Sequence, residues 1–541
     1  MTPRHGGPHP SLVGFFLLLV YGMTASGHFY TSDAGAKLAV ARTLVREGRF
    51  SLEPDTDLNH IVAPDGRKFV PWAPGMILYM VPAALLESAI TGMYNLPQES
   101  RAYLAVSIVC LMSAVSMALL GVLVHLLAIR LGSSPPIAAR LAILIGLTTQ
   151  VWPFSETGVA EVPVAILLMT TALALLWNKN GPDDRHLIIA AFSVSIATLF
   201  YYPCVLLVIA VCLARHLLDH PKKSFSSTFF IPAVLILPAI LAILWLNHVR
   251  TGSLLNFGYG LNRIHELTFL TAGSLLALGV TALVLRSLST LDNPVRHVLL
   301  TLLLFSLALF LLSRFDSLFV VFLSPGDGIL YHSPTLLLLA FSITDAFKTR
   351  PGPSRLMCLM SILICIPAHQ NLVSTWTFGS RYLFPVVPLV MCLTLPLLER
   401  PQEPGLARAL MTTLVGLGLF IQICGVTGST HVFRDRALHR YVAKIGDPHT
   451  LSWSDLERQV VLDPIQSSVA SQIRRVGELD FSFTGARERG RQGREALRGR
   501  IPDFWWYYAL ALGAPQAIIL GFLLIGTTLI LASQILRPPH P

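Results

Sequence analysis

The chain has 541 residues, of which 53% are hydrophobic and only 13% are charged. Soluble domains carry about a quarter charged residues, so the composition excludes an ordinary soluble protein and indicates an integral membrane protein. The long apolar runs lack the alternation of a transmembrane barrel, so the expected fold class is an all-α polytopic membrane protein. The net charge of +10 is scattered between apolar runs, which argues against a nucleic-acid partner.

Apolar runs in chain order predict about 14 transmembrane helices, and 12–14 fit the pattern. The first run, 12–27, follows Arg4 and His5, which place its start on the cytoplasmic side. A cleaved signal peptide ending near Ala25-Ser26-Gly27 is the alternative. Further spans are predicted at 102–128, 137–152, 157–177, 187–201, 203–218, 228–246, 268–286, 296–313, 329–347, 355–371, 382–398, 406–424 and 507–536.

Basic and less basic loops alternate along these spans. If residues 28–101 form one outer loop, the basic loops, among them 130–140, 348–355 and 400–408, all face the cytoplasm. This arrangement requires that the apolar stretch 75–92 does not cross the membrane. It is therefore predicted to be a juxtamembrane or re-entrant segment at the outer surface.

Three regions follow from this topology. Residues 1–424 form the transmembrane module, 425–503 form an outer polar segment with an Arg-rich end, and 504–541 hold the last transmembrane helix and a short tail. The aromatic run FWWYY at 504–508 is predicted to be an interfacial belt before the last span. The role of the polar segment is left open.

The start of the first outer loop carries the signals of a helix. Ser32 or Asp33 can cap its N-terminus, and Gly48 can supply the left-handed residue at its end. Leu38 and other apolar residues fall on one face and Lys37 largely on another, which suits a helix lying flat on the bilayer. A Pro-Asp-Gly turn follows at 64–66, and a Trp-Ala-Pro-Gly bend at 72–75 leads into the apolar stretch.

Several stretches resemble the bacterial members of the GT-C glycosyltransferase superfamily, the relatives of protein O-mannosyltransferases and aminoarabinose transferases. The resemblance covers most of residues 12–400. It rests on the order of stretches rather than on one diagnostic motif: Asp33 soon after the first span, REGRFSLE, DGRKFVPWAPGMILYMVPAALL, WPFSETGVAEVPVAILLM, NHVRTGSLLNFGYG, SPGDGILYHSPTLLLLAF and FGSRYLFPVVPL.

This resemblance implies a GT-C-like helical bundle in the cytoplasmic (inner) membrane with its active site on the outer face. Such an enzyme moves a sugar, hexosyl or pentosyl, from a polyprenyl-phosphate donor to a glycan, lipid or protein acceptor. The resemblance makes Asp33 the general base. Membrane lipids are the other expected partners.

The chemistry of sugar transfer suits these residues. A carboxylate can take the proton of the attacking hydroxyl, and burial near lipid is expected to raise the pKa of Asp33 and strengthen it as a base. The departing phosphate needs positive charge, and the Arg381 guanidinium can bind it with two hydrogen bonds. Further candidates for binding substrate or phosphate are Lys68, Glu161, His332, Asn256 and Tyr259.

Each candidate has a plainer structural alternative. These are an N-cap for Asp33, an interfacial arginine for Arg381, a surface charge for Lys68, a helix-start charge for Glu161, an interfacial histidine for His332 and loop packing for Asn256 and Tyr259. No metal-ligand spacing stands out, so no cofactor is indicated, although a divalent metal using Asp316 or Asp327 with Asp33 is left open. Competing functions are a transporter or flippase of lipid-linked glycans and a non-catalytic membrane assembly factor.

Overall fold

The structure, a computed structural model, describes most of the chain. The described residues are 7–29, 31–95, 98–178, 181–218, 225–257, 320, 322–368, 378–400, 405–428, 462, 467–492, 497, 500–514 and 516–536. The predicted spans 268–286 and 296–313 and the candidates Tyr259 and Asp316 lie outside these residues.

The described elements are almost entirely helical. In chain order the α-helices are α1 Pro10–Thr24, α2 Ser32–Glu47, α3 Gly75–Tyr94, α4 Gln98–Arg130, α5 Pro135–Thr148, α6 Val151–Phe154, α7 Glu161–Leu175, α8 Asp184–Phe200, α9 Leu207–Leu217, α10 Phe225–Thr251, α11 Ile329–His332, α12 Leu339–Thr349, α13 Pro351–Ala368, α14 Val387–Met391, α15 Leu395–Glu399, α16 Leu406–Thr427, α17 Ser468–Val476, α18 Phe483–Gly490, α19 Trp505–Ala511 and α20 Gln516–Leu536. Short 3-10 segments cover Tyr202–Leu206, Pro334–Leu338, Arg381–Val386 and Cys392–Thr394. Two short strands, β1 Ile61–Val62 and β2 Lys68–Phe69, pair antiparallel with Ile61 opposite Phe69.

Helices long and apolar enough to cross a membrane confirm the predicted all-α polytopic membrane protein. Six occur among the described residues: Gly75–Tyr94, Tyr103–Arg130, Phe230–Thr251, Arg381–Glu399, Leu406–Thr427 and Gln516–Ser533. Shorter apolar helices, including α1, α5 and α7, pack between them. The total of about 14 spans stays a prediction.

Several predicted cytoplasmic loops meet at one end of the bundle, here called the basic end. Arg350 donates to Glu399 at 2.6 Å and to the Leu131 carbonyl at 2.8 Å. The Arg130 guanidinium lies over the Trp177 ring, 3.7 Å from its centroid. Loops distant in sequence are thus joined by ion pairs and a cation–π contact.

The opposite end of the bundle, here called the site end, holds the candidate residues. Helix α7 begins at Glu161 and finishes shortly before Trp177, so it runs from the site end to the basic end. The broken helical segment from Arg381 to Glu399 has the same direction. Helix α8 runs the other way, because its first turn lies beside Trp177, on which His186 stacks.

Helix α3 is long enough to span a bilayer, but both of its ends lie away from the basic end. It begins at Gly75 against the Leu199 carbonyl, near the site end of α8. It finishes at Tyr94, shortly before the start of α4, whose far end is Arg130. These contacts favour the predicted juxtamembrane placement of this segment over a crossing.

Helix α2 has the predicted end but a different start. Gly48 ends it in the left-handed conformation, with φ of +68°, as expected. The N-cap is Thr31, whose hydroxyl accepts from the Ala34 amide at 3.4 Å, so neither Ser32 nor Asp33 is the cap. Arg42 makes two bonds of 2.7 and 2.8 Å to Glu87 of α3, so α2 is covered by protein rather than lying free on a surface.

The last predicted span, 507–536, is two helices rather than one. Helix α19 ends at Ala511 and α20 begins at Gln516, with Gly513 between them at φ of +102°. Only α20 has the length and composition of a span. It packs along α1.

The close approach of α3 to α8 gives a test of this packing. A Cβ at Gly75 would lie 2.7 Å from the Leu199 carbonyl oxygen, so Gly75→Ala should cost about 1–3 kcal/mol of stability. Gly92→Ala in the same helix, where a Cβ would meet nothing within 4 Å, is the matched control. Thermal unfolding of the purified protein in detergent compares the two. Equal unfolding temperatures would contradict the described packing.

Candidate active site

Asp33 lies in the first turn of α2 and is 8% exposed. Its Oδ2 atom accepts from Lys37 Nζ at 3.0 Å and from Arg381 Nη2 at 3.1 Å. Lys37 is one helical turn further along α2, and a four-residue spacing places two side chains on one face. The carboxylate therefore has one local and one distant cation as partners.

Arg381 joins two carboxylates that are far apart in sequence. Its Nη2 contacts Asp33, and its Nε lies 2.9 Å from Glu161 Oε1. Glu161 is in the first turn of α7 and is 2% exposed. The turn before Arg381 requires Gly379, whose φ is +77° and whose missing side chain leaves room for Gln150 and His332.

These four residues, Asp33, Lys37, Glu161 and Arg381, are here called the ion cluster. All are buried or nearly so, and their formal charges sum to zero. A lone buried charge is very costly, whereas a hydrogen-bonded set of opposite charges is tolerated. The cluster brings together three of the predicted site residues, Asp33, Glu161 and Arg381.

The expected rise in the pKa of Asp33 is wrong. Burial does favour the neutral acid, but the Lys37 and Arg381 charges and a hydrogen bond with Thr31 outweigh it and hold the pKa of Asp33 below its ordinary value. Asp33 is therefore ionised at neutral pH in this structure. It is a weaker base than burial alone would make it.

Lys37 is the member of the ion cluster that is absent from the candidates predicted from the sequence. It was assigned to the polar side of an amphipathic helix, but it is 2% exposed. Its ammonium group lies 5.0 Å from the centroid of the Trp72 ring, and the Trp72 carbonyl accepts from buried Arg250 at 2.9 Å. The four-residue spacing from Asp33 is the signal that could have identified it.

His332 lies near the site but inside the protein. It is fully buried, its Nδ1 is 2.9 Å from the Gly328 carbonyl, and its ring meets the Phe378 ring edge-on at 4.8 Å. Gln422 donates to the His332 carbonyl at 2.6 Å. These contacts support the turn that carries Arg381 rather than an outer-surface role for His332.

The remaining candidates lie apart from the ion cluster. Lys68 is on β2 and donates to the Thr56 carbonyl at 3.1 Å. Asn256 follows α10 in the turn where Asn247 donates to the Leu254 carbonyl. Asp65 is the exposed turn residue expected, paired with Arg67 at 2.6 Å. Across the described residues, no group of three metal-ligating side chains comes together.

The arrangement can perform two chemical tasks. Asp33 offers an ionised carboxylate that can accept a proton, and its 11% exposed side chain keeps an opening toward solvent or ligand. Arg381 offers a guanidinium that can exchange a carboxylate partner for a phosphate, because both present paired oxygens to its fork.

The lowered pKa of Asp33 gives a pH prediction with a definite sign. The ionised form contributes stability above the unfolded-state pKa of about 3.9, and the contribution is lost as pH falls through the lower folded-state pKa. Asp33→Asn should therefore cost about 3–5 kcal/mol at any pH from 5 to 8, and the difference should shrink below about pH 4. Unfolding of both proteins across pH measures this. A difference that already shrinks near pH 6 would show a raised pKa instead.

Known proteins resemble this chain only distantly. The sequence matches no protein-family model and no curated protein. The archaeal oligosaccharyltransferase AglB from Archaeoglobus fulgidus, in complex with an inhibitory peptide and a dolichol-phosphate, aligns with 13% identity and a TM-score of 0.46 over 85% of this chain and 60% of AglB. ArnT from Cupriavidus metallidurans aligns at 12% identity and a TM-score of 0.44 in the apo state (90% of this chain, 80% of ArnT). The structure of ArnT bound to undecaprenyl phosphate aligns with 14% identity and a TM-score of 0.44, over 98% of this chain and 81% of ArnT. The chain thus spans about 60% of the length of AglB, and no activity is inferred from alignments of this quality.

Proposed function

We propose that the chain is a membrane glycosyltransferase that moves a sugar from a polyprenyl-phosphate donor to an acceptor hydroxyl. The observation that carries the proposal is the ion cluster, in which the Arg381 guanidinium lies 3.1 Å from the ionised Asp33 carboxylate; a guanidinium is well suited to binding phosphate. The cluster is at the end of the bundle opposite the basic loops, and basic loops face the cytoplasm as a rule. We place it on the outer face of the cytoplasmic membrane for that reason.

In the proposed reaction the acceptor oxygen bonds to the anomeric carbon while the bond from that carbon to the phosphate oxygen breaks. The acceptor proton passes to Asp33, and the polyprenyl phosphate leaves with the electron pair of the broken bond. The phosphate is a good leaving group, so the protein has to supply positive charge rather than a proton. Arg381 is the residue for this task, with Glu161 holding its guanidinium in place at 2.9 Å.

A general base with a lowered pKa is a weak proton acceptor. In the proposed mechanism this is overcome because Arg381 can leave the Asp33 carboxylate and bind the donor phosphate. With no donor bound, Arg381 and Lys37 lower the pKa of Asp33. A donor phosphate that draws Arg381 away leaves Asp33 with Lys37 alone, which raises the pKa of the carboxylate when a base is needed. Donor binding would thus activate the base.

The base assignment is tested by Asp33→Asn. Turnover with a polyprenyl-phosphate sugar should fall by about 10²–10⁴-fold, because the amide cannot accept the proton. Asp65→Asn, which changes an exposed carboxylate in the same loop, should leave turnover unchanged. The assay is transfer of labelled sugar by the protein in nanodiscs. Full activity of Asp33→Asn would rule out this base and would favour a flippase of lipid-linked glycans, which needs no proton acceptor here.

The phosphate assignment is tested by Arg381→Lys. Lysine keeps the charge but loses the planar fork, so kcat/KM for the donor should fall by at least about tenfold. The control is Arg400→Lys, which alters an arginine paired with Asp345 away from the site end. Initial rates at varied donor concentration measure both variants. An unchanged kcat/KM in Arg381→Lys would remove Arg381 from the donor site.

A further inference from the structure

Residues 500–511, here called the strap, lie across the end of α1. The indole N–H groups of Trp505 and Trp506 donate to the carbonyls of Gly22 and Met23 at 2.7 and 2.9 Å. Carbonyls in the last turn of a helix have no partner within the helix and need one elsewhere. The strap therefore caps α1 with side chains from nearly 500 residues further along the chain.

The strap also holds the chain as it leaves α1. The Trp505 amide donates to the Ala25 carbonyl at 2.8 Å, and the Tyr103 hydroxyl donates to the Trp505 carbonyl. Gly27 fits between the rings of Tyr103 and Tyr508, where a Cβ would lie 3.1 and 2.9 Å from ring carbons. No larger residue fits at this point without moving the rings.

Asp503 is the charged centre of this contact. Its carboxylate lies 2.8 Å from His28 Nδ1 and accepts from Ser26 Oγ at 3.1 Å. Its own amide donates to the Thr427 carbonyl at the end of α16. All three residues are at most 5% exposed. Asp503 thus contacts α16 through its amide and, through its carboxylate, the segment that leads directly to Asp33.

These contacts change the interpretation of the FWWYY run as an interfacial belt. Trp506, Tyr507 and Tyr508 are only 9%, 3% and 1% exposed, so they pack against protein rather than against lipid. The Trp506 indole donates to the Met23 carbonyl of the first helix, and the Tyr507 hydroxyl donates to the Phe481 carbonyl. The run is a docking element within the chain.

We propose that the strap positions Asp33 for catalysis and that Asp503 is the positioning residue. The inference rests on the proposed function for its catalytic part, but its structural part stands separately. Between α1 and α2 lie only residues 25–31, and the strap contacts Ala25, Ser26, Gly27 and His28. A displacement of about 1 Å at a catalytic group can cost ~10²-fold in rate, so a fixed linker is valuable here.

The structural part is tested by hydrogen–deuterium exchange on the full chain in nanodiscs. Asp503→Asn should increase exchange in residues 25–36, because the pairing with His28 is lost. Asp480→Asn is the matched control, since Asp480 lies in the same outer segment and pairs with Arg489 at 2.8 Å rather than with the linker. Ser26→Ala, which removes the hydroxyl's bonds to Asp503 and to the His28 backbone but keeps the Asp503–His28 contact, serves as the second variant if Asp503→Asn does not fold. Unchanged exchange in the folded variant would overturn the proposal.

The positioning part is tested by steady-state kinetics. Asp503→Asn should lower kcat at least tenfold while KM for the donor changes less than twofold, because Arg381 is left in place. Asp503→Glu should restore part of the rate, and Asp480→Asn should behave as wild type. Increased exchange with an unchanged kcat would overturn the positioning role. Increased exchange in Asp503→Asn, together with a wild-type chain that transfers no sugar, would keep the strap contact and reject the proposed glycosyltransferase.

Discussion

The balance of four buried charges is the constraint on which the site end depends. Asp33 and Lys37 come from α2, Glu161 from α7 and Arg381 from the segment after Gly379, and Arg381 contacts the carboxylates of both helices. Removing water from an ion costs several kcal/mol, so each member needs its partners in place. The same requirement draws α2, α7 and the segment after Gly379 together at one end of the bundle.

This constraint also explains why the site can respond to a ligand. A charge-neutral cluster has no tendency to draw in a free ion, but a phosphate can replace one carboxylate as the partner of Arg381. The replaced carboxylate then becomes more basic without any large movement of the backbone. In the proposed mechanism, donor binding and activation of the base are linked through the Arg381 guanidinium, and Lys37 limits how far the pKa of Asp33 can rise.

Local signals predicted much of the fold and some of the site. Turn chemistry predicts the left-handed end at Gly48 and the turn at 64–66, because it depends on neighbouring residues. The alternation of basic and less basic loops predicts that 75–92 lies away from the basic end. The partners of Arg381 depend on residues up to 348 positions away, so no local pattern could give them. Lys37 was misplaced because an amphipathic pattern assumes that polar residues face solvent, whereas α3 covers this helix. The sign of the pKa shift of Asp33 was wrong because the charges of Lys37 and Arg381 outweigh burial, and the break at Gly513 was hidden inside one apolar run.

The distance along the chain between Asp33 and Arg381 has a consequence for biosynthesis. At about 5–20 residues per second, the ribosome needs ~17–70 s to add the 348 residues that separate them. During that interval Lys37, one helical turn away, is the only one of the two cations that the chain already contains. The ion pair within α2 can therefore form first, and Arg381 adds the second cation only after the later helices have been synthesised.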